Sequence, residues 1–307
     1  ENTLKAAIAF KNSGLGIPIL VAKAETIKQR LKDIGYSENF DIEITNSTDR
    51  QKREKYVNFL FIIMQREQGL LERDCDSLVR NDRVIWASCM VSCGDAEGAV
   101  TGNTRRYGAS LEKITKVVDP RPGEIMFGLN MIVNKSKTVF IGDTSVHEYP
   151  TSEQLAEIAI SSARVVRLFG FDPKVAFVSH STFGQPLTSR TKHIKNAVNI
   201  LKEKNVNFKF DGDMQPDVAL NDEYKELYPF SEIVGKANIL IMPGQHSAAI
   251  SYKMMRELGG SKVIGPLLIG LGQPIEIAPL RSSTSDILNL ASLAAYSAGV
   301  INYTKKN

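Results

Sequence analysis

Short apolar runs alternate with longer amphipathic stretches along nearly the whole chain, and this alternation constrains the fold more than any other feature. A run of four to eight apolar residues suits a strand buried on both faces, and the stretches between suit crossover helices. An α/β fold with mostly parallel sheets is therefore expected. Candidate strands are Ile17 to Val21, Phe40 to Ile44, Arg83 to Met90, Ile125 to Ile132, Thr138 to Ile141, Lys174 to Ser179, Asn207 to Phe210, Ile239 to Met242 and Val263 to Leu268. Helical patterns separate them. Ala24 to Ile34 stops at Gly35, and Ala248 to Leu258 stops at Gly259 and Gly260, where glycine accepts a left-handed cap. Thr3 to Phe10 reads as an amphipathic helix. The closing stretch, Ser285 to Ala298, carries Ile287, Leu288, Leu290, Ala291 and Ala294, a face that must pack against a sheet.

At 307 residues the chain exceeds the usual size of one domain. The best boundary is Glu148 to Glu153, because Pro150 resists helix and Thr151 or Ser152 can cap the helix that follows. No segment approaches the ~20 apolar residues of a membrane span. The 38 Lys and Arg are spread among 34 Asp and Glu, so the net charge of +4 forms no nucleic-acid stripe. Membrane and nucleic acid are thus not expected as partners, whereas an anionic small metabolite is. Glu1 in place of Met, with no signal-peptide layout after it, suggests a piece of a longer protein. The odd number of cysteines, Cys75, Cys89 and Cys93, fits a reducing, cytoplasmic compartment. Cys89 and Cys93 lack the further ligands of a tetrahedral set, so no metal site is expected.

Three strand ends are candidates for chemistry. Val175 to Val178 is followed by Ser179, His180, Ser181, Thr182, Phe183 and Gly184, then by a helix beginning near Ser189. Hydroxyls and free helix amides at the carboxyl end of a strand suit phosphoryl oxygens, although a capped turn gives the same pattern. His180 taken alone reads as a packed or capping residue. A second end, Lys209 to Asp217, sets Asp211, Asp213 and Asp217 around Gly212, with Gln215 beside them. It lacks the spacing of a calcium loop, and Asp217 reads equally as a helix cap. The third, Ile239 to Ser247, again stops at turn residues before a helix. In the first half, Ser92 to Arg106 is a small-residue loop placed after a strand. It matches neither a P-loop nor a dinucleotide fingerprint, but its Thr104, Arg105 and Arg106 could meet a phosphate or carboxylate.

Read together and in order, these pieces resemble the phosphate acetyltransferase family, especially the branch fused to the carboxy terminus of NADP-dependent malic enzymes. The resemblance is carried by Pro18 to Val21, Gly94-Asp95-Ala96, Pro150 to Ala156, Ser179 to Gly184, Asp211 to Gln215, Gly235 to Asn238, Ile250-Ser251-Tyr252 and Gly265 to Gly270. It implies two α/β/α three-layer domains with a cleft between them, one from residues 1–149 plus 277–307 and the other from 150–276. It also implies a site for acetyl-CoA, CoA or acetyl phosphate, lined by Ser179, His180, Ser181, Thr182, Gly184, Thr104, Arg105, Asp211, Asp213 and Gln215. Free-standing members carry a Ser-Arg-Gly run just after the proline that is Pro274 here. This chain has Pro279, Leu280 and Arg281 in its place, without the hydroxyl and with a leucine where the charge belongs, so acetyl transfer is expected to be crippled. Asp286 matches a family aspartate that assists thiol chemistry, yet a helix cap accounts for it equally well. Gly244-Gln245-His246 and Ala249 depart from the family pattern. The expected role is regulatory, within a homo-oligomer. NADP and a divalent metal would serve an amino-terminal malic-enzyme catalytic region outside this sequence; the alternative is an active phosphate acetyltransferase.

Overall fold

The computed structural model describes residues 1–36, 42–135, 137–184 and 188–306, which divide into two compact units, 1–120 with 271–307 and 121–270. The first unit begins with α1 (Asn2–Asn12), β1 (Ile19–Val21), α2 (Ala24–Asp33), β2 (Glu43–Thr45), α3 (Arg50–Gln68), α4 (Glu72–Asn81), α5 (Arg83–Ser92), β3 (Ala99–Gly102) and α6 (Tyr107–Ile114). The second contains β4 (Phe127–Val133), β5 (Thr138–Gly142), α7 (Ser152–Leu168), β6 (Lys174–Val178), α8 (Ser189–Glu203), β7 (Lys209–Met214), α9 (Pro216–Leu220), β8 (Ile239–Ile241), α10 (Gln245–Glu257) and β9 (Lys262–Ile269). The chain then returns to the first unit through β10 (Ile275–Ala278) and α11 (Thr284–Lys306).

The fold is α/β with mostly parallel pairing, as the alternation predicts. In the first unit β1 pairs with β2, and β10 with β3, both parallel. In the second, six strands run in the order β7-β6-β8-β5-β4-β9, with only β4 antiparallel to its neighbours. Strand β6 is buried from Val175 to Val178 and β8 throughout, which is why each reads as a continuous apolar run. Helices α7 and α8 contact one side of this sheet, and α9 and α10 pack on the side of Ala176, Val178, Leu240 and Met242. Burial of a side chain such as Phe177 contributes roughly 1.5–3 kcal/mol.

Several expectations need correction. Arg83 to Met90 is not a strand but the buried helix α5, in which Val84, Ile85, Trp86, Cys89 and Met90 are all covered. A helix surrounded by protein is apolar on every face and loses its 3.6-residue signature. Its start is marked by Asp82, whose side chain accepts the Val84 amide at 2.9 Å. The unit boundary falls after Pro120 rather than near Pro150, because β4 and β5 belong to the six-stranded sheet. Pro150-Thr151 instead opens a helix inside the second unit: Thr151 Oγ1 accepts the Gln154 amide at 3.2 Å, and Gln154 Oε1 accepts that of Thr151 at 2.8 Å. Strand β10 was not among the candidates, and Phe40 lies outside the described residues.

Candidate functional site

Strands β7, β6, β8 and β5 are mutually parallel, so their carboxyl ends share one edge of the six-stranded sheet, where ligands of open α/β sheets collect. The Ser179 amide donates to the Met214 carbonyl at 2.9 Å, carrying the β6–β7 ladder one step past β6. The chain then turns back through Phe183 (φ 51) and Gly184 (φ 95), and the Phe183 amide donates to the Asp213 carbonyl at 2.7 Å. This fold-back brings the two predicted strand ends together. Ser179 Oγ lies 3.2 Å from Ser181 Oγ, and Ser181 Oγ donates to Asp213 Oδ2. Thr182 Oγ1 accepts the Gln215 amide at 3.2 Å, while Gln215 Nε2 donates to the His180 carbonyl at 2.8 Å.

Asp213 is fully buried, yet its Oδ1 has no hydrogen-bond partner among the described residues. An unpaired buried carboxyl oxygen is costly, so this oxygen marks where a ligand donor or water would complete the site. His180 is exposed and lends its carbonyl to the cluster. Asp211 accepts the Gly212 amide at 2.9 Å, a bond within its own strand. Rather than flanking a turn, Asp211, Gly212 and Asp213 all lie in β7, which runs on to Met214. Asp217 lies in the first turn of α9, behind Gln215 at the cap and Pro216. A Cβ on Gly184 would stand 2.1 Å from Lys195 Nζ, so α8 holds a cation against the hydroxyl loop. Lys195 escaped sequence reading because it is one of several lysines on an amphipathic helix.

Thr104, Arg105 and Asp286 belong to the other unit. Thr104 is exposed, and Arg105 Nη1 donates to Asp82 Oδ2 at 2.6 Å. Asp286 Oδ2 accepts the Ser283 amide at 2.9 Å and the Ser283 hydroxyl at 2.8 Å, while Ser283 Oγ accepts the Asp286 amide at 3.2 Å. That reciprocal pair is a capping box at the start of α11. At the end of β10, Leu280 is exposed, and the Arg281 amide donates to the Asn103 carbonyl at 3.1 Å. The loops carrying Thr104 and Pro279 to Arg281 therefore touch, because β3 and β10 are neighbours.

The Gly94-Asp95-Ala96 piece is anchored by Asp95, which accepts from Lys55 Nζ at 2.8 Å and from the buried Tyr56 hydroxyl at 2.8 Å. Burial tends to raise the Asp95 carboxyl, but the hydrogen bonds from Lys55 and Tyr56 and the Lys55 charge outweigh it and hold Asp95 below its ordinary range. Burial, followed by the hydrogen bond to Asp95, drives the Tyr56 hydroxyl upward. Burial also pushes the Cys75, Cys89 and Cys93 thiols up, which disfavours the nucleophilic thiolate. Among the described residues no group of three or more His, Cys, Asp or Glu is arranged to hold a metal.

Sequence reading passed over Asp143 and His147. Asp143 follows β5 at the same carboxyl edge and is buried, with Oδ1 accepting the amides of Gly128, Ser145 and Val146 at 2.9, 2.8 and 3.1 Å. Its Oδ2 accepts the His147 amide at 2.7 Å and His147 Nδ1 at 2.8 Å. Gly128 permits this close approach, since a Cβ there would stand 2.6 Å from Ser145 Oγ. The available signal was an aspartate and a histidine four residues apart just after a strand.

The fold and its polar strand ends define the class. A phosphotransacetylase from Streptococcus pyogenes superposes with a TM-score of 0.89 over 97% of this chain and 91% of that one, at 27% identity. Residues 1–295 match the phosphate acetyl/butaryl transferase model, and the chain belongs to that family. An NADP-dependent malic enzyme of Rhizobium meliloti is 42% identical over 297 residues, covering 96% of this chain and 39% of that protein. The NADP-dependent malic enzyme of Escherichia coli is 32% identical over 290 residues, covering 93% and 38%. A phosphate acetyltransferase of Nitratidesulfovibrio vulgaris is 28% identical over 300 residues, covering 97% and 42%. The chain thus spans about two fifths of the length of these curated relatives.

Proposed function

We propose that this chain is the regulatory, phosphotransacetylase-like part of an NADP-dependent malic enzyme, binding acetyl-CoA, CoA or acetyl phosphate without transferring the acetyl group. One contrast carries the reading. The β6–β7 end keeps its hydroxyls, a buried carboxyl with an open oxygen and the Lys195 cation, whereas the β10 end offers Pro279 and an exposed leucine. Hydroxyls and an ammonium suit phosphoryl oxygens. Proline and leucine can neither move a proton nor clamp a phosphate. Relatives called malic enzymes and spanning more than twice this length support attachment to a catalytic region. In that arrangement NADP and a divalent metal belong to the catalytic region, the oxidative decarboxylation of malate occurs there, and the whole works in the cytoplasm. Ligand held here would shift a homo-oligomer between states of different competence, which requires differential affinity for those states.

Two measurements test this. Calorimetry should detect binding of acetyl phosphate or acetyl-CoA to the isolated chain; no binding of either leaves only a structural module. A coupled assay for acetyl-CoA formation should give background rates, and robust turnover would establish the rival reading, an active phosphate acetyltransferase.

A further inference from the structure

We infer that the rings of Phe208, Phe210 and Phe230, beside β7, form a stacking subsite for the heteroaromatic base of a nucleotide-bearing ligand whose phosphates lie at the hydroxyl loop. The subsite presupposes the ligand binding proposed above and narrows it: of the three ligands, CoA and acetyl-CoA have a group to put there and acetyl phosphate has none.

Strand β7 is the last strand of its sheet, and residues 230–233, between α9 and β8, come alongside it, with Lys209 Nζ 2.6 Å from Glu232 Oε2. Between them lies an open cavity of about 260 Å³ lined by Phe208, Phe210, Asp211, Phe230 and Ile233. Pockets for whole ligands run to roughly 300–1,000 Å³, so this one suits a single planar group and not a whole coenzyme. Phe208 and Phe210 stand with ring centroids 5.9 Å apart. Phe230 is held on a firm base. Its ring meets Phe183 at 4.8 Å and Tyr228 at 6.2 Å, both edge to face, and those two rings pack against the buried core on the side of α9 and α10. Phe230 itself is 69% exposed, and Leu227 beside it 68%. A single exposed apolar side chain is ordinary, whereas three rings around one cavity form a patch of the kind that binds.

The patch is joined to the candidate site through shared residues. Phe183 ends the run of hydroxyls, and its amide donates to the Asp213 carbonyl at 2.7 Å while its ring touches Phe230. Along β7, Asp211 and Phe210 precede Asp213 by two and three residues, about 7 and 10 Å at the rise of a strand. A ribose spans that kind of distance between a phosphate and its base. The charges follow the same polarity. Lys195, against Gly184, supplies a cation at the phosphate end. At the other end Glu232 neutralises Lys209, and half-buried Asp211 spends one lone pair on the Gly212 amide and keeps others to accept from an exocyclic amino group. Aromatic faces stack on any base, so the rings supply affinity and the carboxylate favours a base that carries an amine.

The test uses the full chain with acetyl-CoA and acetyl phosphate as probes in calorimetry. Acetyl-CoA should bind roughly tenfold or more tighter than acetyl phosphate. Phe230→Ala should weaken acetyl-CoA about tenfold and leave acetyl phosphate unchanged, which also reports a folded chain; Phe230→Tyr, keeping the ring, should restore the wild-type value. In NMR of the wild type, saturation of phenylalanine ring protons should pass to the H2 and H8 protons of the bound base. Equal losses for both ligands in Phe230→Ala would make Phe230 a prop for the hydroxyl loop through Phe183, and no loss for either would leave the rings unused. Each of those results overturns the subsite and keeps the ligand-binding reading. A lower sedimentation coefficient in Phe230→Ala would show that the rings face a second copy of the chain, and overturns it too. No binding of either probe overturns both.

Discussion

Two strand ends, one in each unit, treat polar groups in opposite ways. At the end of β6 and β7, the hydroxyls and Asp213 are buried and left one hydrogen bond short. At the end of β3 and β10, the polar groups are used up among themselves: Arg105 on Asp82, Ser283 and Asp286 on each other, and the Asn103 amide on the Ala278 carbonyl. Identical chemistry, helix starts and strand ends with Ser, Thr and Asp, thus leaves a buried oxygen unpaired in one unit and gives closed caps in the other. The difference lies in whether the local chain supplies its own partners.

Four substitutions would break or sharpen this comparison. The largest effect is expected for Gly212→Ala, because φ of 155 and a Cβ 2.7 Å from Phe177 Cβ and 2.9 Å from its carbonyl leave no room. It should destabilise by about 2–4 kcal/mol in denaturant unfolding and abolish acetyl phosphate binding. Wild-type stability in this variant would mean the β6–β7 wall is far more pliant than its packing implies. Next, Ser181→Ala removes the donor to the buried Asp213 carboxyl, so unfolding should be easier by about 1–3 kcal/mol. Acetyl phosphate affinity should fall about tenfold in calorimetry, and an unchanged affinity would remove the hydroxyl loop from the ligand site.

In the other unit, Ser283→Ala should cost about 1 kcal/mol of stability through the lost capping box and leave acetyl phosphate affinity as in the wild type. A drop in affinity would join the two strand ends functionally. The smallest effect is a pH dependence. Asp95 sits below its ordinary range in the folded state, so its contribution is present above the carboxylate range of the unfolded chain, about pH 4, and is lost as the pH falls through the depressed folded value. Thermal unfolding followed from pH 7 down to pH 2 should show Asp95→Asn lowering Tm by less than about 4 °C at neutral pH. The gap should close in acid; one that stayed constant would remove the Lys55 and Tyr56 hydrogen bonds as its cause.

Much of this was legible in the chain. Continuous apolar runs gave β5, β6, β8 and β9 nearly to the residue; β6 and β8, covered on both faces, have almost no polar positions to confuse the pattern. Ser179 to Gly184 and Asp211 to Gln215 stood out because hydroxyls and acids clustered where apolar runs stopped. The same reasoning failed at α5, whose all-round burial erased its period, and at Pro150, where a sound helix-start signal was read as a unit boundary.

Residue order alone therefore determined the α/β class, most strand positions and the family, because periodicity, caps and motif order are local properties. Only the tertiary structure decided which polar groups meet. The fold-back at Phe183 and Gly184 seats Ser181 on Asp213, chain passage across the sheet lays Lys195 against the loop, and Asp143 pins the His147 ring. These pairings depend on which strand lies beside which and on the burial that leaves a single oxygen or nitrogen unpaired, and neither is written in any local stretch of residues.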